Sequence, residues 1–489
     1  MKTAQLLLII FCFFLFSSCD KLPGNGRIFY VDSQSGDDQN SGLKPEKAWA
    51  SLEKVNQQVF LPGDQILLKS GTTYTGQLEP KGSGSNDAPV VIGCYGGEQK
   101  PLIRGLGQKK YALLLENLAY YEVSDLEITN TGKEREAGRS GVLIHAKNCG
   151  DLHHIVLNQL DVHDVNGSLV KDEGGGSAIF WRNEGDSIPS RFVDLRIENC
   201  YLHDCARNGI TSTGNSGRDH WYPSLKVVIR GNVLEGIPGD GIVPIGCDSA
   251  LVEYNVMRDC PDMLSHQEAA AGIWPWSCDN TLIQYNEVSG HQAKWDGQGF
   301  DSDYNCSGTI IRYNYSHDNN GGFLLVCNDG NSLGKNWNHG TKNSLIQFNL
   351  SVNDGIRPYP TERSGWFSPV FHITGPAVNT RIDHNVVVVP EKEKAEIPSV
   401  MIEVGDWGQA WPKNTIMEKN LFFTNSGPIF HWGNATGTLF QDNVTRGLES
   451  SGPGQIAALL TELVQNADPA DQDGYTKMKD FVLSRITEK

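Results

Sequence analysis

The sequence predicts an all-β chain wound into a right-handed parallel β-helix, and three observations predict it. First, one pattern repeats between Gly239 and Asp329. Gly241-Ile242-Val243-Pro244-Ile245-Gly246-Cys247 leads to Leu251-Val252-Glu253-Tyr254-Asn255, and Gly272-Ile273-Trp274-Pro275-Trp276-Ser277-Cys278 leads to Leu282-Ile283-Gln284-Tyr285-Asn286. Two further copies close on Tyr313-Asn314 and Phe348-Asn349, with corners at Cys306 and Cys327. Second, the closing Asn recurs at Asn199, Asn232, Asn255, Asn286, Asn314, Asn349, Asn385 and Asn420, at a spacing of roughly 20–40 residues that belongs to solenoids and propellers. Third, each repeat holds two or three short strands and lacks a Trp-Asp blade signature, which excludes a propeller and suits stacked coils. In such a stack the Asn amides hydrogen-bond from coil to coil, and Cys247, Cys278, Cys306 and Cys327 are expected as small buried hydrophobes.

In chain order, residues 1–18 read as a signal peptide. Lys2 is the positive start, Leu6 to Phe16 an apolar run too short to span a membrane, and Ser17-Ser18 the small residues before Cys19. The stretch resembles a bacterial lipoprotein signal, which implies lipidation of Cys19, a tether over 19–27, and an exported protein held at the periplasm or outer-membrane surface. The net charge of −17 argues against nucleic acid, whose binding needs clustered Lys and Arg. The membrane is reached only through the lipid. Of 11 cysteines, Cys12 and Cys19 belong to the leader; the odd remainder argues against a disulfide framework, although Cys200 and Cys205 are close enough in sequence to pair.

Residues 28–75 have their own character: a strand at Phe29-Tyr30-Val31, a turn cluster over Gly36 to Gly42, helical spacing from Trp49 to Val55, and a strand after Gly63-Asp64. Tyr30-Val31, Gly36, Asp38, Asn40, Gly42, Trp49, Ser51-Leu52 and Gly63-Asp64 resemble the N-terminal cap of extracellular β-helix carbohydrate enzymes of the pectate-lyase-like superfamily. Coils are expected over 76–450. The pairs His163-Asp164, His203-Asp204 and His317-Asp318 follow the repeat, so corner hydrogen bonds explain them better than metal or catalysis. Polar insertions at 328–343, 353–368 and 405–414 carry Trp337, Arg357, Trp366, Trp407 and other rings, on the face where a solenoid binds. Residues 451–489 turn helical and are expected to cap the C-terminal end. One elongated domain, acting as a monomer, accounts for the length.

Aligning the repeats on the residue after Gly puts Ile242, Ile273, Phe300 and Phe323 inward and Val243, Trp274, Asp301 and Leu324 outward. Two residues on, Ile245, Trp276, Asp303 and Val326 face the same way. His372 and Glu403 extend the outer row. Asp301 and Asp303, at i and i+2, place their carboxylates roughly 6.5–7 Å apart, near the lower edge for an inverting glycosidase pair. Mutual repulsion would raise one pKa and leave one group as acid and the other as base. Asp240 and Glu268 are further catalytic candidates. Trp274, Trp276, His266, Arg182, Asp296, His372, Glu403 and Trp366 are candidates for substrate binding. Calcium ligation and a solvated turn are the other readings of Asp301 and Asp303, although the spacing is not that of a calcium loop.

The run Asp296-Gly297-Gln298-Gly299-Phe300-Asp301-Ser302-Asp303, with Tyr313 to Phe323, resembles exported β-helix proteins of Bacteroidetes similar to glycoside hydrolase family 141. The resemblance implies a glycan-cleaving hydrolase without a cofactor, acting on a polysaccharide or oligosaccharide. A polysaccharide lyase is the alternative; it would need a cation or calcium and a base such as Lys294, Lys335, His372 or Arg357. A glycan-binding surface protein without catalysis is the third reading, because one scaffold hosts all three.

Overall fold

The computed structural model describes residues 26–389, 400–425, 427–448 and 450–487; the leader and Cys19 lie outside them. Parallel strands stack into three long faces. A sixteen-stranded sheet starts at Ile28–Val31 and Gln65–Lys69, and a thirteen-stranded sheet starts at Thr73–Thr75. The third face consists of two five-stranded parts, one ending at Ile242–Val243 and the other starting at Gln298–Ser302. Between them only isolated bridges join Ile242, Ile273 and Phe300. Pro244 and Pro275 sit at this break, and a proline has no N–H to give to a ladder.

Alternation along each strand sends every second side chain inward, and register stacks like on like. Ile92, Leu157, Ile229, Ile283, Ile346 and Met417 lie in one unbroken row of the first sheet and are all fully buried. Three free thiols, Cys247, Cys278 and Cys306, form another row, with the Cys247 amide donating to Cys278 Sγ at 3.3 Å. Cys200 and Cys205 are free and buried.

The Asn ladder runs from Asn232 through Asn255, Asn286, Asn314, Asn349, Asn385 and Asn420 to Asn443. In each step the Nδ2 donates to the Oδ1 of the next at 2.9–3.0 Å. Asn199 is not a member. The residue before each ladder Asn has positive φ, for example Tyr254 at 55°, Tyr285 at 54° and Lys419 at 52°. Asn199, at 54°, occupies that corner, which Asn tolerates well, and Cys200 takes the ladder seat, its amide donating to Asn232 Oδ1 at 2.9 Å. The corner rings also stack: Tyr254 on Tyr285 at 5.1 Å, Tyr285 on Tyr313 at 5.2 Å and Phe348 on His384 at 4.9 Å.

In the N-terminal segment the helix α1 is only Leu52–Asn56, capped by Ser51 Oγ, which accepts from the Lys54 amide at 3.1 Å. Trp49 precedes it in a bridge to Val31 and stacks on Phe29 at 4.9 Å. The C-terminal helices α2 (Pro453–Asn466) and α3 (Gln472–Thr487) lie along the outer face of the second sheet. Leu460, Met478 and Val482 pack there on Tyr315, Leu350 and Val386, and Arg485 Nε donates to Glu287 Oε2 at 2.8 Å. They cover that flank, while Leu439, Phe440 and Val444 of the last coil are 50, 41 and 38 % exposed. Among the described residues no helix is long and apolar enough to cross a membrane.

The ladder makes a quantitative prediction. Asn314→Ala leaves the buried Asn286 amide without an acceptor, although Asn286 Nδ2 keeps the carbonyls of Val252 and Gln284, and it also removes the bonds that Asn314 Nδ2 donates to Ile283 O and Asn349 Oδ1. Stability in urea should fall by about 2–4 kcal/mol, while Asn331→Ala, at an exposed loop position, should change it little.

Candidate active site

The break in the third face is where the chemistry gathers. Register across it places Asp301 beside Leu325, and then His372 and Glu403, in one outward row. Leu324 and Val326 are inward and fully buried. The double glycine causes the slip relative to the sequence alignment: Gly322, with φ of 115°, pairs with Gln298 and not with Gly299. A one-residue slip turns every side chain to the other side. Cys327 therefore leaves the thiol row and stands next to Asp303, donating from Sγ to Oδ1 at 2.9 Å.

A chamber of about 400 Å³ opens over this surface, walled by Trp274, Trp276 and Trp407 and floored by Asp240, Asp296, Asp301 and Asp303. A second chamber of about 290 Å³ adjoins it, and the two share Trp295, Asp296, Leu325 and Trp407. The sequence anticipated the tryptophan pair beside the aspartates. Trp274 Nε1 donates to Asp240 Oδ1 at 3.2 Å, and Trp276 stacks on Trp337 at 6.2 Å.

The four carboxylates are not equivalent. Burial alone would push Asp240 up, but Lys171 and Arg207 hold it below its usual value, with Arg207 Nη1 at 2.8 Å and Lys171 Nζ at 3.4 Å from Oδ2. Burial pushes Asp296 up to about 7, with the charges of Asp303 and Asp240 adding to it against the pull of Lys171. Asp301, 4 % exposed, is held well above the carboxylate range by burial and by the charges of Asp303, Asp296 and Asp240, and its Oδ1 has no hydrogen-bond partner. Burial also raises Asp303, opposed by the Cys327 thiol and by the Tyr304 amide at 2.6 Å. Asp296, Asp301 and Asp303 all line the chamber; Asp296 and Asp303 are half-buried and Asp301 is buried. Carboxyls whose acidities are driven apart in one cleft are the arrangement acid–base chemistry needs.

Other sequence candidates lie outside this group. Glu268 does not line the chamber; it accepts from the Lys171 amide at 2.8 Å and from Arg207 Nη2 at 3.2 Å, and so fixes the segment that carries Lys171. Arg182 is half-exposed and paired with Glu184 at 2.5 Å. His266 stands 3.9 Å from Glu362, and Trp366 is half-buried beside Phe367, which is the ring that faces the second chamber. His372 lines that chamber, and Glu403 pairs with His431 at 2.6 Å. Of the bases considered for a lyase, Lys294 is held by Asp262 at 2.5 Å and Leu264 O at 2.8 Å, and Arg357 by the carbonyls of Ala293 and Asp296.

Lys171 and Cys327 were not anticipated. Cys327 was recoverable from the double glycine; Lys171 sits in a Gly-rich loop without periodicity and gave no signal. Among the described residues the His/Cys/Asp/Glu group with ligand atoms within 4.8 Å of one another is Asp161, His163 and His203, on the second sheet. There His163 Nδ1 and His203 Nδ1 meet Asp164 and Asp204 at 2.8 and 2.9 Å, and His317 meets Asp318 at 2.7 Å. These are the corner contacts expected from the sequence.

Fold and site together define a right-handed parallel β-helix with a tryptophan-walled, carboxylate-floored cleft. Residues 177–355 match the model of the right-handed β-helix region. The chain is 29% identical over 438 residues to lacto-N-biosidase of Bifidobacterium longum subsp. longum, covering 70% of this chain and 27% of that protein. It thus spans about a quarter of the length of that relative. A second match, 32% identical over 65 residues, is to alpha-1,3-galactosidase A of Akkermansia muciniphila and covers 13% of this chain and 11% of that one. Among solved structures, the GH136 lacto-N-biosidase of Eubacterium ramulus superposes with a TM-score of 0.62 at 24% identity, covering 86% of this chain and 68% of that one. The family named among these matches is GH136 and not glycoside hydrolase family 141.

The raised Asp296 makes the site a source of instability with a defined pH dependence. A carboxyl whose folded value lies above its unfolded value of about 3.9 stabilises the fold at low pH and loses that contribution as pH rises through about 7. Asp296→Asn should therefore be more stable than the parent at pH 8 and gain nothing at pH 4, as read by urea denaturation at the two pH values.

Proposed function

We propose that this chain is a glycoside hydrolase and that Asp296 and Asp303 are its catalytic pair. The observation that carries the reading is the split among carboxylates in one cleft. Asp296, poised near 7 and open to both chambers, donates a proton to the glycosidic oxygen. Asp303, kept closer to its charged form by the Cys327 thiol and the Tyr304 amide, serves as base or nucleophile at the anomeric carbon. This puts Asp296 in the place of Asp301 in the pair read from the sequence, because Asp296 is the more open of the two to the chamber; Asp301, 4 % exposed with its Oδ1 unpartnered, stays protonated and so adds no charge beside the pair. Asp240, charged and clamped, balances Lys171. Trp276, half-buried, offers a flat apolar face to a sugar ring, whereas Trp274 is buried with Lys171 Nζ 4.9 Å from its ring centroid.

The lacto-N-biosidase relatives make glycans ending in lacto-N-biose the first substrates to offer. Lacto-N-tetraose and a panel of plant and host glycans should be incubated with and without chelator, reading reducing ends and the ultraviolet absorbance of unsaturated products together. Reducing ends without absorbance, insensitive to chelator, are expected. Asp296→Asn and Asp303→Asn should each lower kcat by about 10³-fold. Absorbance that disappears with chelator would replace the hydrolase reading with a lyase, and binding without turnover would leave a glycan-binding protein.

We also place the protein at the cell envelope, exported and lipid-anchored through Cys19. This rests on the apolar run Leu6 to Phe16 and on Ser17-Ser18-Cys19. Cys19→Ala should move the protein from the membrane fraction to the soluble one on cell fractionation; unchanged partition would discard the anchor.

A further inference from the structure

We propose that the smaller chamber is the subsite for the leaving saccharide, a neutral sugar ring, and that Gln298 is its specificity-determining residue. The inference rests on the hydrolase reading above. Asp296 lines both chambers, whereas Asp303 lines only the larger one. In glycoside cleavage the acid stands at the departing oxygen, and the base or nucleophile stands at the anomeric carbon of the other sugar. The larger chamber therefore takes the sugar that is attacked, and the bond to be cut lies across Asp296.

The walls of the smaller chamber are suited to such an occupant. Phe367 and Trp407 are 42 and 43 % exposed and offer ring faces. Arg363 lies over the Trp295 ring at 3.2 Å from its centroid, so that face is already covered. Gln298 is 3 % exposed, and its Oε1 has no hydrogen-bond partner. An amide oxygen buried without a donor is costly, and a sugar hydroxyl or acetamido N–H in the chamber supplies one. His372 is kept neutral by burial, which lowers it to about 4, so it meets hydroxyls without adding charge. Arg357, the buried cation of the wall, is already engaged by three backbone carbonyls, those of Ala293, Asp296 and Phe367. Carboxamide, neutral imidazole and aromatic faces together select an uncharged polar ring.

Two substrates that differ only in the leaving group test this: lacto-N-tetraose and the p-nitrophenyl glycoside of lacto-N-biose. A saccharide leaving group needs the chamber, whereas an activated aryl group leaves with less help. Gln298→Leu and the surface variant Phe367→Ala should each lower kcat/KM on lacto-N-tetraose at least tenfold more than on the aryl glycoside. Equal losses on the two substrates in both variants would overturn the proposal. Tryptophan fluorescence titration with lacto-N-tetraose separates the two layers of the reading. Binding that is weakened at least tenfold in Gln298→Leu, in a protein that cleaves neither substrate, would remove the hydrolase and keep the chamber. Binding of equal strength in the parent and both variants would remove the chamber whatever the protein cleaves.

Discussion

Register between coils is the constraint on which the rest of this molecule depends. Parallel pairing fixes which residue lies above which, and the Asn ladder from Asn232 to Asn443 locks that choice once per coil through an amide pair and a backbone N–H. Positive φ at each corner before the ladder is strained for Tyr, Phe, His and Lys. Repetition makes it tolerable, since every corner is held by the same hydrogen bonds and, over Tyr254 to His384, by stacked rings.

That rigidity is what lets four carboxylates share a small volume. A flexible loop would relax until the charges separated, but Asp301 and Asp303 stand on and just after a strand laddered on one side and bridged to Ile273 on the other, and Asp240 is clamped by the buried Arg207. Protons are the remaining freedom. Burial and repulsion are therefore relieved by titration and not by movement, which keeps Asp301 protonated and poises Asp296 near 7 beside a charged Asp240.

Much of this was legible in the sequence. The Gly-to-Asn repeats gave the solenoid, and the odd content of one outward row, two tryptophans one coil from two aspartates, marked the cleft. What escaped did so for local reasons. Asn199 and Cys200 exchange the corner and ladder seats, and Asn suits either, so residue type alone cannot separate them. Gly321-Gly322 offers two alignments, and only backbone pairing selects the one that turns Cys327 outward. The helical segment at the C-terminus shows an apolar face but not what it covers; Tyr285, Tyr313 and Phe348, on corners, proved to be its partners. Lys171 reaches Asp240 from a loop more than sixty positions away in the chain, a contact without periodicity to announce it. The eight-residue run around Asp301 is too short to single out one family of β-helix proteins, and the family named among the matches is GH136.

The separation of rows has a consequence for how such a cleft changes over time. Stability is written in the inward rows and the ladder, and the proposed chemistry in side chains that face away from both. A coil inserted with its own Asn and inward aliphatics would fit anywhere along the axis, moving the tryptophan wall from the carboxylates by one strand spacing, about 4.8 Å. Groove length is thus a quantised variable in this architecture, adjustable in whole coils, while Asp296 and Asp303, seven positions apart in the chain, travel together as a single rung.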